Sequence, residues 1–144
     1  GRVPAPGELT PEDRAMLAAA AGLYEPVRAE FDEQQFHRAL ERIWRVVAEA
    51  NRYFTAMEPW KLRRTDVERM STVLWVTLEV VRVVGLLVQP VVPDAAARLL
   101  DVLGQADGEA RLFTALSAPL VAGTQLPPPA PVFPRYEEPA ALQA

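Results

Sequence analysis

The side chains best suited to a chemical task lie in one stretch, Ala50 to Arg64, which places Pro59-Trp60 at a helix end among Asn51, Arg52, Lys61, Arg63 and Arg64. From Arg38 to Arg64 there are seven Lys/Arg against three Asp/Glu, a local +4 within a chain of net charge −4, so the remainder carries −8. An aromatic set in positive surface suits single-stranded RNA. An indole stacks on an unpaired base for about 1–3 kcal/mol, and cationic side chains hold phosphates. Trp60 is the stacking candidate and Pro59 shapes its turn, while Asn51 can read a base edge and Arg52 flanks it. Arg45, Lys61, Arg63 and Arg64 are the phosphate candidates. The same residues have a plainer explanation, in which the Trp after a helix-stopping Pro is a lid on the core and the arginines are a solvated face.

Other chemistry is excluded by composition. The 144 residues contain no cysteine and one histidine, His37. That removes disulfides, thiol nucleophiles, Cys-based zinc sites and any site needing two imidazoles. The absence of cysteine and of a secretory pattern predicts a reducing compartment. An isoelectric point near 5.1 argues against a generally basic nucleic-acid binder, although the local +4 survives inside the acidic total.

Helices must position these residues. Thr10 followed by Pro11, Glu12 and Asp13 predicts a helix start running to about Gly22, because the hydroxyl caps free amides, Pro suits the first position and acids face the positive dipole end. A short piece from Leu23 to Phe31 contains Pro26. Asp32 or Glu33 then opens a helix whose apolar positions Phe36, Leu40, Ile43, Val47, Ala50, Phe54 and Met57 step by three and four until Pro59. Asp66 starts a helix through Val88 that is apolar almost all round, the pattern of a central helix. Glu79 and Arg82 within it predict an ion pair, and their charges, with the prolines that follow, argue against a membrane span. Pro93-Asp94 starts another helix, capped by Gly104, followed by a helical turn near Ala110 to Leu116.

Seven of the 14 prolines lie between Pro119 and Pro139, which predicts an extended path. The fold class is therefore all-α, an antiparallel bundle of about four to five helices. A flexible lead-in occupies residues 1–9, the helical domain 10–118 and an extended proline-rich tail 119–144.

Residues Ala50 to Leu62 resemble the anticodon-binding domain of the methionyl-tRNA synthetase family, whose helix ends in an "AN(K/R)Y…PW" pattern. Val80 to Gly104 is similar to the next two helices of that family, and Phe133-Pro134-Arg135 to its "FPR" tail. The resemblance implies that Trp60 stacks on the CAU anticodon of methionine tRNA, with Pro59, Asn51 and Arg52 beside it. It implies a tail that folds back with Phe133 and Tyr136 as anchors, and an upstream anticodon-contacting helix that residues 1–22 do not contain. This domain would hold no cofactor, whereas ATP and methionine, with zinc as a further candidate, belong to a catalytic part elsewhere. The implied partners are methionine tRNA and that catalytic part, without a membrane. The cytoplasm is the implied compartment, with the mitochondrial matrix as alternative.

Two features depart from the family. Thr55-Ala56-Met57-Glu58 stands where many members carry an acidic and amide run. Neither class I ATP signature is present: His37 has no glycine beside it, and the Met70-Ser71 pair lies inside a predicted helix. No bond-making residue is expected here, so the rival to the anticodon reading is a stand-alone helical interaction module with a proline-rich tail.

Overall fold

The computed structural model describes residues 1–134, and these form an all-α bundle. Six α-helices run in the order α1 (Pro11–Ala21), α2 (Tyr24–Asp32), α3 (Phe36–Met57), α4 (Pro59–Thr65), α5 (Val67–Val88) and α6 (Pro93–Val102), followed by 3₁₀ turns at Glu109–Arg111 and Phe113–Ser117. α5 is central and packs against α1, α3, α4, α6 and the second 3₁₀ turn, while α2 lies on α3. By length and composition α5 could cross a membrane, yet its apolar residues are the core of this bundle.

Local chemistry sets the boundaries. Thr10 and Asp13 form a reciprocal capping box at α1, with Pro11 at the first position. α3 starts at Phe36, later than expected, because α2 runs through Asp32 and Gln34 takes a positive φ of 60° to reverse the chain. Its buried stripe is Ala39, Ile43, Val46 and Tyr53, which leaves Phe36 exposed at 52 % instead of in the core.

Pro59 does more than end α3, since it opens the additional helix α4. Gly104 caps α6 as expected, at φ +68°, and a Cβ there would lie 2.6 Å from the Gln125 carbonyl oxygen. The expected turn near Ala110 becomes the two 3₁₀ segments.

The lead-in is not free. The Val3 amide donates to the Thr124 carbonyl at 2.9 Å, the Gly123 amide to Val3 at 2.8 Å and the Leu126 amide to Gly1 at 2.9 Å. Val3 is buried, and the Gly7 amide donates to Thr72 Oγ1 at 2.8 Å. Two proline-rich ends, unable to continue as helices, thus satisfy each other's backbone groups.

The described part of the tail, 119–134, is non-helical and folds back on the bundle. Its anchor is Leu120, which is buried, accepts from Trp75 Nε1 at 3.0 Å and donates its amide to Glu79 Oε2 at 2.8 Å. Phe133, the expected anchor, is 76 % exposed; Tyr136 and Arg135 lie outside the described residues.

Candidate nucleic-acid interface

The α3–α4 corner turns on Glu58. At φ +45°, ψ +53° this non-glycine residue is left-handed, a conformation that costs about 1–2 kcal/mol. Its amide donates to the Phe54 carbonyl and its own carbonyl accepts from Lys61 at 2.8 Å, so one residue ends α3 and begins α4. The residue before a proline is disfavoured in the right-handed helical region, so α3 has to break here.

Pro59 is consequently buried, whereas Trp60 is turned outward and 54 % exposed. Trp60 rests on Phe54 with ring centroids 6.0 Å apart at 58°. A Trp serving as a core lid would be buried, as Trp75 is.

Asn51 and Arg52 are exposed and, with Thr55 and Ala56, border one shallow depression. Thr55 and Ala56 are small, and the neighbouring Met57 is held from below, its sulfur accepting from Arg69 Nη2 at 3.3 Å. Arg45 is exposed on α3, and Arg63 and Arg64 are exposed on α4. Among the described residues no carboxylate lies within ion-pair distance of Arg45, Arg52, Arg63 or Arg64. Lys61 differs, since its Nζ is 2.7 Å from Glu58 Oε1. Arg42, also within the positive stretch, is taken up by Glu30 at 2.6 Å, which pulls the Glu30 carboxyl below its ordinary pKa and raises that of Arg42.

Tyr53, between Arg52 and Phe54, has a structural role that sequence patterning did not show. Its hydroxyl donates to Asp13 Oδ1 at 2.6 Å, and Arg69 grips the same carboxylate through Nη1 at 2.5 Å and Nη2 at 2.9 Å. Asp13 is fully buried. Burial alone would raise its pKa, but hydrogen bonds from Arg69, Tyr53 and the Thr10 amide outweigh that and hold it down to about 2. Burial and the adjacent Asp13 carboxylate push the Tyr53 phenol up, and the hydrogen bond to Asp13 raises Arg69. The group joins α1, α3 and α5 directly behind the exposed corner. The only sequence signal was an acid in a capping position, which explains one of its bonds.

The remaining sequence candidates resolve as structure. Arg82 and Glu79 form a buried bidentate pair at 2.8 and 2.7 Å, and Arg82 Nη1 also donates to the Ala115 carbonyl at 3.1 Å. Ser71 Oγ donates to the Val67 carbonyl, and with Arg69 committed to Asp13 the Met70-Ser71 segment is helix body. His37 is exposed in the first turn of α3.

A family profile described as the anticodon binding domain of methionyl tRNA ligase matches residues 3–141. The methionine–tRNA ligase of Mycobacterium tuberculosis H37Rv is 51 % identical over 143 residues, covering 96 % of this chain and 27 % of that protein. The Rhizobium meliloti enzyme is 50 % identical over 98 % of this chain and 28 % of its own length. In structure, the apo M. tuberculosis methionyl-tRNA synthetase superposes with a TM-score of 0.91 at 50 % identity, over 96 % of this chain and 29 % of that one. The same enzyme bound by methionyl-adenylate gives 0.90 over 93 % and 27 %. The chain thus spans little more than a quarter of the length of the relatives it matches.

Proposed function

We propose that this chain, which belongs to the family of anticodon-binding domains of methionyl-tRNA ligase, recognises the CAU anticodon of methionine tRNA at the α3–α4 corner. The observation that carries this reading is the half-exposed Trp60 ring, held outward by buried Pro59 and supported by Phe54. A stacking platform needs a rigid ring with one free face, and the left-handed Glu58 turn supplies it.

In this reading an anticodon base stacks on Trp60 and Asn51 reads a base edge from the neighbouring depression. Arg52, Arg45, Arg63 and Arg64 hold phosphates. Lys61 contributes less, because it must first leave Glu58. The domain supplies binding energy and register and contains no reacting group.

The joining of methionine to tRNA at the cost of ATP falls to a catalytic part outside these residues. ATP and methionine bind there, as the methionyl-adenylate complex of the M. tuberculosis relative suggests. Zinc, where the whole enzyme uses it, is assigned to that part too, and no step here runs through it. The cytoplasm is the compartment that bacterial relatives favour over the mitochondrial matrix.

Titration with a methionine-tRNA anticodon stem-loop tests the reading. Binding should weaken as salt rises, and Trp60→Ala should lower affinity about 5- to 150-fold, the equivalent of a 1–3 kcal/mol stack. Equal affinity for an unrelated stem-loop would refute anticodon recognition and favour the interaction-module alternative.

A further inference from the structure

The last turn of α3 works on two sides. Phe54 supports the Trp60 ring at the surface, while Tyr53 and Met57, one turn apart, reach inward to a single group. Arg69 grips the Asp13 carboxylate with both Nη atoms, the same carboxylate accepts from the Tyr53 hydroxyl, and Arg69 Nη2 also donates to the Met57 sulfur. One guanidinium therefore fixes both inward side chains of the turn that ends at Glu58: Met57 directly, and Tyr53 through Asp13. The backbone of Arg69 acts on the far side of the corner. Its amide donates to Asp66 Oδ1 at 2.9 Å, and the Asp66 amide donates to the Leu62 carbonyl at 2.8 Å, where α4 ends and α5 begins. The seven-residue α4 is thus secured at both ends through one residue. The corner needs such a hold, because a left-handed glutamate persists only where its surroundings over-determine it. Pro59 is the only buried residue of α4, and the Glu58 and Lys61 side chains are tied to each other instead of to the bundle. The aim of Trp60 accordingly depends on where the end of α3 is fixed.

We propose that Arg69 is a positioning residue for anticodon binding: by clamping Tyr53, Met57 and the start of α5 it aims the Trp60 platform, without touching a base itself. Its side chain is only 19 % exposed, so it is no phosphate contact. A lysine there would keep a cation beside Asp13 but lack the planar fork that reaches carboxylate and sulfur at once. The inference rests on the anticodon reading for what the ring is aimed at, and on the geometry alone for what holds it, so the two can fail separately.

The test has one arm without RNA and one with it. The chain has three tryptophans, Trp44, Trp60 and Trp75, so 5-fluorotryptophan labelling gives a fluorine signal for Trp60, assigned by its loss in Trp60→Phe, with the other two as internal controls. Phe54 displaces the Trp60 signal from that of free 5-fluorotryptophan. In Arg69→Lys that signal should move toward the free value while buried Trp75 stays in place. Met57→Leu, which removes the sulfur acceptor without stranding a buried charge, should move it in the same direction, and it decides alone if Arg69→Lys does not fold. In the second arm, Arg69→Lys should weaken binding of the methionine-tRNA anticodon stem-loop about three- to tenfold with an unchanged salt slope, and cost nothing further in a Trp60→Ala background. An unmoved Trp60 signal in the folded variants would overturn the proposal. So would an equal loss of affinity with and without the Trp60 ring, since Arg69 would then act elsewhere. Unchanged binding by Trp60→Ala would instead refute the anticodon reading, and the fluorine signal would still decide whether Arg69 holds the ring.

Discussion

Asp13→Asn tests whether one buried carboxylate holds the frame behind the exposed corner. In the fold its pKa is about 2 against an ordinary 3.8, and each unit is worth about 1.4 kcal/mol, so the charged form contributes about 2 kcal/mol at neutral pH. The depressed pKa fixes the sign: the unfolded chain takes up its proton near pH 3.8, before the fold does. This stability is present above that pH and is lost as pH falls toward 2, with about 1 kcal/mol gone by pH 3. Glu12 and Glu30 are also lowered and act in the same direction. The comparison is therefore between the two proteins at each pH. At pH 7 the amide retains the shape but leaves Arg69 and Tyr53 without their anion, which should cost about 3–5 kcal/mol, the range for breaking a buried pair. Urea unfolding followed by circular dichroism at pH 7, 4 and 3 reads both quantities. The variant should unfold earlier at pH 7, with a gap from wild type that narrows by about 1 kcal/mol at pH 3. A gap below about 1 kcal/mol at pH 7, or one that stays constant with pH, would refute the assignment.

Other substitutions probe the turn, the cap and the cationic rim. Glu58→Gly relieves a left-handed glutamate and should stabilise by roughly 0.5 kcal/mol after glycine's entropic cost; a lowered melting temperature would contradict the strain argument. Gly104→Ala combines a positive φ with a Cβ 2.6 Å from the Gln125 oxygen and should cost about 2 kcal/mol or more in urea, so a change under about 0.5 kcal/mol would count against the cap. Arg63→Ala and Arg64→Ala should each lower the slope of log K against log salt for stem-loop binding by about 0.7, while Trp60→Ala leaves the slope unchanged. Unchanged slopes in both arginine variants would remove them from the phosphate contacts.

Most of the helical frame was legible because its signals are local. Thr10-Pro11 with Asp13, Asp66 and Gly104 each act on amides or carbonyls within a few residues, and the apolar steps of α5 repeat over its whole length. The corner residues were legible as types: Trp60 beside Pro59, with Arg52, Arg63 and Arg64 nearby. Long-range pairings were not. Nothing local links Asp13 to Tyr53 and Arg69, 40 and 56 positions away, or Trp75 Nε1 to the Leu120 carbonyl. Proline content predicted a flexible lead-in and an extended tail, but whether such a segment is loose depends on what its backbone meets. α4 was missed because Pro59 serves equally to stop one helix and start the next.

The pairing of Gly1–Val3 with Gly123–Leu126 joins residues at least 120 positions apart. Such a contact has little local help, so loop closure comes at nearly the full length of the chain and folding should complete it late. The two segments then share one fate in opening. Neither can leave without exposing the other's amides, and Leu120, bound to Glu79 and Trp75, marks where the loosening meets the core. Hydrogen exchange should therefore find the first residues and the stretch around 123–126 opening together, as one cooperative unit of lower stability than the bundle it closes.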